Sequence, residues 1–208
     1  IGPGWEVDAA DWWRAQEVNL LGTFIACRAV IPAMIEKRWG RILVFSGGGA
    51  TGPRPRFSAY ASSKAAVVRL VETLAAEVAG YGITVNAIAP GAVDTRLQDS
   101  IIEAGSAAGD EHARAVALRQ TGAGGVSPDL AAELALFLAS DDGAAITGKL
   151  VSAEHDPWRE WREPELAELS RSDWLTLRRL DPYTLRRLRD AASRVPDGPA
   201  GGGGGGQG

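Results

Sequence analysis

The chain is poor in the residues that staple, ligate metals or oxidise. Its 208 residues include one cysteine, one methionine, two histidines and three tyrosines. A single cysteine, Cys27, excludes an internal disulfide. Its setting in Phe24-Ile25-Ala26-Cys27 reads as a buried structural thiol rather than a nucleophile. His112 and His155 have no metal-ligand partner at a suitable spacing, so no metal site is expected. Positive charge is not in surplus: the net charge is -4, which gives no reason to expect nucleic acid or an anionic membrane as partner. No apolar run is expected to approach bilayer length, and no signal peptide is visible at the start. A soluble cytoplasmic protein is therefore the default expectation.

What is present suffices for one globular domain, since 45% of the residues are hydrophobic. The most informative stretch is Tyr60-Ala61-Ser62-Ser63-Lys64. A tyrosine and a lysine one helical turn apart share a helix face, which brings the ammonium beside the phenol. A free phenol, with a pKa near 10, is too weak an acid to trade protons at neutral pH. A cation about 4 Å away stabilises the phenolate by up to roughly 4 kcal/mol at an effective dielectric near 20, or about three pKa units at most. Tyr60 would then serve as an acid or base near pH 7. The pair alone proves little, because the alternative is an ordinary surface pair on a helix.

The surrounding motifs carry the weight. Asn19-Leu20-Leu21-Gly22 lies on a long helix, followed by the apolar strand Gly40-Arg41-Ile42-Leu43-Val44-Phe45-Ser46. After Tyr60 and Lys64 come Val85-Asn86-Ala87-Ile88-Ala89-Pro90-Gly91, then Ala131 to Ser140 and Ile146-Thr147-Gly148. In this order the motifs resemble the short-chain dehydrogenase/reductase family, from about Trp12 to about Ala153. The resemblance implies a doubly wound, Rossmann-like α/β sheet, NAD or NADP as cofactor, and a small alcohol or carbonyl compound as substrate. It also implies homo-oligomers formed through the two long helices. It casts Tyr60 as proton donor or acceptor, and Lys64 as the partner that lowers its pKa and bonds the nicotinamide ribose. Asn19 would support a water linking Lys64 to solvent; the plain alternative is an asparagine bonding locally within its helix. Pro90, Gly91, Val93 and Thr95 would meet the nicotinamide carboxamide and phosphate; the alternative is a simple turn after a strand.

One position departs from the family pattern. Where a serine is expected, 13 residues before the tyrosine, this chain has Gly47. Ser46 precedes it, but adjacent strand residues face opposite sides. Backbone N–H groups of Gly47-Gly48-Gly49, or the hydroxyls of Thr51 or Ser58, are the alternative donors to a developing oxyanion. A catalytically silent relative that binds nucleotide or a partner is the rival reading, and a lyase or epimerase on the same scaffold is a third.

No strand followed by a Gly-rich, phosphate-cradling turn is visible; Gly2-Pro3-Gly4 has the wrong spacing. By comparison with the family, the chain is expected to be the C-terminal part of a larger protein. It would leave an open strand edge and uncovered apolar helix faces, and calorimetry on it alone should find no dinucleotide binding.

Periodicity predicts a helix over 8–38, capped by Asp8 or Asp11, with an apolar face through Val18, Leu21, Ile25 and Val30 and a kink or junction at Pro32. It then predicts a strand over 41–46, a loop over 47–55, a helix over 58–80 and a strand over 83–89. Residues 92–126 read as a loose stretch, a substrate-covering segment by the resemblance. A helix from Ser127-Pro128 to Leu138 and a strand over 149–153 complete the domain, 1–153. Residues 154–195 are expected to be a helical extension, with short helices around Trp158–Trp161, Trp174–Leu180 and Tyr183–Leu188 packing on the body or on a neighbouring subunit. Arg178, Arg179, Arg186 and Arg187 read as an anion site or, given interspersed acids, as a solvated face. The Gly-rich tail, 196–208, is expected to be disordered.

Overall fold

The computed structural model describes residues 1–120, 125–179, 181 and 186. Asp8 caps the first helix, its carboxylate accepting from the N–H groups of Ala10 and Asp11. That helix comprises α1 (Ala9–Gln16), a π turn (Glu17–Leu21) and α2 (Gly22–Lys37). The irregularity falls at the π turn, around Asn19; α2 runs through Pro32 without a break. Then follow β1 (Gly40–Phe45), α3 (Ser58–Glu77), β2 (Ile83–Ala89), α4 (Arg96–Ala104), α5 (Asp110–Gln120), α6 (Pro128–Ala139), β3 (Leu150–Ser152) and α7 (Glu163–Arg171).

The strands form a parallel sheet in the order β1-β2-β3, with Gly40 opposite Ile83 and Ala87 opposite Leu150. This is the Rossmann-like α/β arrangement expected of alternating strands and helices. β2 is central and buried along almost all its length, as its apolar sequence requires. Of its two buried polar residues, Thr84 and Asn86, Asn86 is fully buried and is satisfied on both sides. Its amide donates to Ile146 O at 2.7 Å and its carbonyl accepts from Lys149 N at 3.1 Å. Asn86→Leu strands both backbone groups, so a loss of about 2–5 kcal/mol in urea denaturation is expected.

Four expectations need correction. The predicted apolar face of the first helix is the exposed one: Val18, Leu21, Ile25 and Val30 face outward, while Cys27, Ile31, Met34 and Ile35 pack on the sheet. A helix apolar nearly all round gives periodicity no unique face to select. The same composition makes Ala9–Lys37 long and apolar enough to cross a membrane, contrary to the sequence reading; here α2 lies against β1 and α1 against α3. In the stretch read as loose, 92–126, the described residues carry α4, a 3-10 turn (Gly105–Ala108) and α5. Phe57, Ile101, Ala108 and Ala115 close a small core beneath them. Small alanines supply that burial, and their contribution is easily missed in a search for large apolar residues. Finally, Trp158–Trp161 and Trp174–Leu177 form turns rather than helices, while α7, with proline in its first turn, lies between them.

Trp158, Trp161, Leu166 and Leu169 share one core with Ile88, Leu134, Leu138 and Val151. The extension thus packs on the body of the same chain as far as Leu177, which itself packs against the core around Val68 and Val85. Beyond it, Arg179 pairs with Asp181 at 3.9 Å. Tyr183, Arg187 and the tail 196–208 lie outside the described residues.

Candidate active site

The site sits at the carboxyl ends of β1 and β2, where open parallel sheets present their loops. A groove of about 590 Å³ opens there. One wall is the glycine loop Gly47–Gly49 with Tyr60 behind it; the other is Pro90, Gly91, Val93 and Thr95. α5 contributes Glu111 and Arg114, and the segment after β3 contributes Glu154 and His155. Gly91 has φ 85°, and a Cβ there would lie 2.8 Å from both Glu154 Oε2 and Val126 Cγ2, so only glycine lets this turn close. Val93 bridges to Gly125, and Thr95 stands at the N-terminus of α4.

The structure therefore brings Tyr60 and the Pro90–Thr95 segment to one groove. Lys64 stands apart from that lining: its amine donates to Phe45 O at 2.9 Å, at the end of β1. Asn19, set in the π turn, donates from its amide to Ser63 Oγ at 2.9 Å, and Ser63 in turn donates to Tyr60 O at 2.7 Å. Asn19 thereby ties the first helix to the turn of α3 that carries the phenol. π turns of this kind recur at functional sites.

Two cations flank the Tyr60 ring, Arg54 at 5.5 Å and Lys64 at 5.7 Å from its centre. Burial pushes the phenol above its ordinary pKa, and the charge that draws it back is that of Arg54. Burial also lowers the Lys64 ammonium below its ordinary value. Both cations thus stand beside the ring at similar distances, and the Lys64 ammonium also bonds the carbonyl at the end of β1. Arg54 is held by Glu111 at 2.9 Å and also covers Phe57 at 4.4 Å. At Glu111 burial raises the carboxyl, but the hydrogen bond and charge of Arg54, then those of Arg114, outweigh it and hold the group below its ordinary value. The sequence signal for Arg54 was the Pro53-Arg54-Pro55-Arg56 run, a short rigid segment six residues before the tyrosine.

Gly47 has a structural reason here. A Cβ at that position would lie 2.2 Å from Tyr60 Oη and 3.2 Å from Cζ, so the phenol occupies the space a serine would need. Gly47→Ser is accordingly expected to push Tyr60 aside rather than restore a missing donor. Thermal melting should show destabilisation by about 1–3 kcal/mol, relieved when Tyr60→Ala is added. Ser46 is buried and its hydroxyl has no hydrogen-bond partner among the described residues. His112 Nδ1 lies 3.4 Å from Ile101 O. Among the described residues no group of three His, Cys, Asp or Glu side chains is placed to hold a metal ion.

A family model described as enoyl-(acyl carrier protein) reductase matches residues 1–154. The chain belongs to the short-chain dehydrogenase/reductase family. It is 34% identical over 143 residues to 2-(S)-hydroxypropyl-CoM dehydrogenase 3 of Xanthobacter autotrophicus, covering 69% of this chain and 56% of that one. It is 36% identical over 137 residues to inactive 2-(S)-hydroxypropyl-CoM dehydrogenase 2 of the same organism, covering 66% and 59%. A gluconate 5-dehydrogenase from Burkholderia cenocepacia, solved with NADP and tartrate, superposes with a TM-score of 0.61 at 30% identity, over 73% of this chain and 57% of that one. The chain thus spans little more than half the length of these family members.

Proposed function

We propose that this chain serves an NAD(P)-dependent oxidoreductase that interconverts an alcohol and a carbonyl, with Tyr60 exchanging the proton at the substrate oxygen. The observation that carries the reading is the phenol of Tyr60 lining one groove with Pro90, Gly91, Val93 and Thr95. NAD or NADP, when bound, supplies or accepts the hydride. The chain's own groups suit the nicotinamide end of such a cofactor. Gly91 leaves the turn too tight for any side chain, which keeps backbone rather than bulk against a flat ring, and Thr95 adds a hydroxyl at the start of α4. Lys64 holds the end of β1 and stands beside Tyr60, where a ribose hydroxyl would complete its bonds. Asn19 orients the helix turn beneath. The NADP-bound gluconate 5-dehydrogenase supports the cofactor class. The substrate is a small alcohol or carbonyl compound, the setting cytoplasmic, and a homo-oligomer is expected through the exposed apolar face of α1 and α2.

A second reading, a catalytically silent relative that binds nucleotide or a partner, is favoured by Gly47 and by the likeness to a relative named as inactive. Turnover separates the two. With residues 1–154 placed in a complete family member, NAD(P)-dependent oxidation or reduction of a panel of alcohols and ketones, lost in Tyr60→Phe, supports the enzyme. Nucleotide binding without turnover supports the silent relative.

A further inference from the structure

The loop before α3 carries a cation that the reading of Tyr60 does not use. Arg54 is mostly buried, lines the groove and lies over two aromatic rings, Phe57 and Tyr60. One of its nitrogens bonds Glu111 on α5, whose other oxygen is taken by Arg114. Another comes within van der Waals contact of the glycine loop, 3.5 Å from a Cβ built at Gly48. Gly47 offers no hydroxyl, and Tyr60 Oη fills the space that one would need. The Tyr60 ring therefore has a guanidinium 5.5 Å from its centre, beside the glycine loop.

We propose that Arg54 is a positioning residue for the phenol: clamped by Glu111, it supplies the positive field at Tyr60 that Gly47 cannot supply as a hydrogen bond. The proposal rests on reading Tyr60 as the proton-exchanging group, and it assigns Glu111 the opposite influence. The other charged groups around the phenol are Lys64 on its own helix, Arg114 on α5, and Glu154 and His155 after β3. Of these Lys64 faces the β1 carbonyl, Arg114 is paired with Glu111, and Glu154 lies 3.7 Å from His155. Arg54 and Lys64 lie at similar distances from the ring, 5.5 and 5.7 Å, and Arg54 is the one of the two that lines the groove.

The test reads the phenol itself, not turnover. The chain is labelled with fluorinated tyrosine, whose greater acidity keeps the titration within the range where the fold survives, and its midpoints are followed by fluorine NMR. Tyr60→Phe identifies the resonance. Arg54→Met is expected to raise the Tyr60 midpoint by about one pKa unit, since a unit charge at this distance acts through a partly screened interior and Glu111 cancels part of it. Glu111→Gln is expected to lower it by about half a unit, because the guanidinium is then uncompensated. Arg54→Lys, which keeps the charge, should recover most of the Arg54→Met shift. A merely structural ion pair would move both single variants the same way, since each breaks the same contact. That result, or any pattern other than a rise for Arg54→Met and a fall for Glu111→Gln, overturns the proposal. Should Arg54→Met not fold, the Glu111→Gln and Arg54→Lys midpoints decide alone: a fall in the first with little change in the second upholds it. Loss of turnover in Tyr60→Phe bears on the oxidoreductase reading and leaves these midpoints untouched, so the two failures are distinguishable.

Discussion

Tyr60→Phe, in a complete family member carrying residues 1–154, is expected to lower kcat/KM by about 10²–10⁴-fold, the usual worth of a positioned general acid or base. Removing one oxygen from a ring that lines an open groove leaves packing intact, so melting temperature and nucleotide affinity should stay near the parent values. The pH dependence gives a second signature. Reduction of a ketone needs the protonated phenol, and oxidation of an alcohol needs the phenolate. Because burial holds the phenol above its ordinary value even with Arg54 nearby, reduction should be flat across neutral pH and fall only on the alkaline side. Oxidation should climb with pH towards that same midpoint. Bound substrate and cofactor add their own charges, so the decisive feature is the opposite sign of the two limbs. A Tyr60→Phe variant that keeps both limbs removes Tyr60 from the chemistry.

The sheet and its crossovers were legible because they rest on strong local signals. The mostly apolar run Ile83–Ala89 reads as a strand, and Asp8 and Ser127 cap the helices they precede. The clustering of Tyr60 with Pro90–Thr95 followed from the resemblance and from β1 and β2 being parallel neighbours. What escaped was set by three-dimensional context. The inward face of α1 and α2 could not be read from a helix apolar on every side. Nor could the second cation at the ring: Lys64, 5.7 Å from its centre, was legible from helix spacing, but Arg54, at 5.5 Å, reaches it from a loop. Loop geometry is fixed by what packs against it, here Glu111 and the Ile101, Ala108 and Ala115 side chains that pack on Phe57, all from segments more than one element away in the chain.

Trp158→Ala is expected to cost about 3–5 kcal/mol, a large share of the roughly 5–15 kcal/mol that holds a domain together. The indole is buried, packs 5.8 Å from Phe137, lies under the Arg159 guanidinium at 4.3 Å, and donates to Ala153 O at 3.1 Å. Its neighbours Ile88, Leu134 and Val151 belong to the sheet and α6, so the cavity opens in the main core rather than in an appendage. Far-ultraviolet circular dichroism in urea should show a single transition moved to lower denaturant, whereas Trp5→Ala, at 86% exposure, should move it by less than about 0.5 kcal/mol. A Trp158→Ala transition that leaves the sheet's midpoint unchanged would mean the extension folds separately from the core. The consequence reaches the groove. Trp158 fixes Ala153 from one side, while Ser152 N donates to Asp156 and His155 N donates to Ser152 Oγ at 3.1 Å. This short loop presents Glu154 and His155 at the groove, with Glu154 against Gly91. Loosening it at Trp158 should therefore raise KM more than it lowers kcat, because the wall moves while Tyr60 on α3 does not.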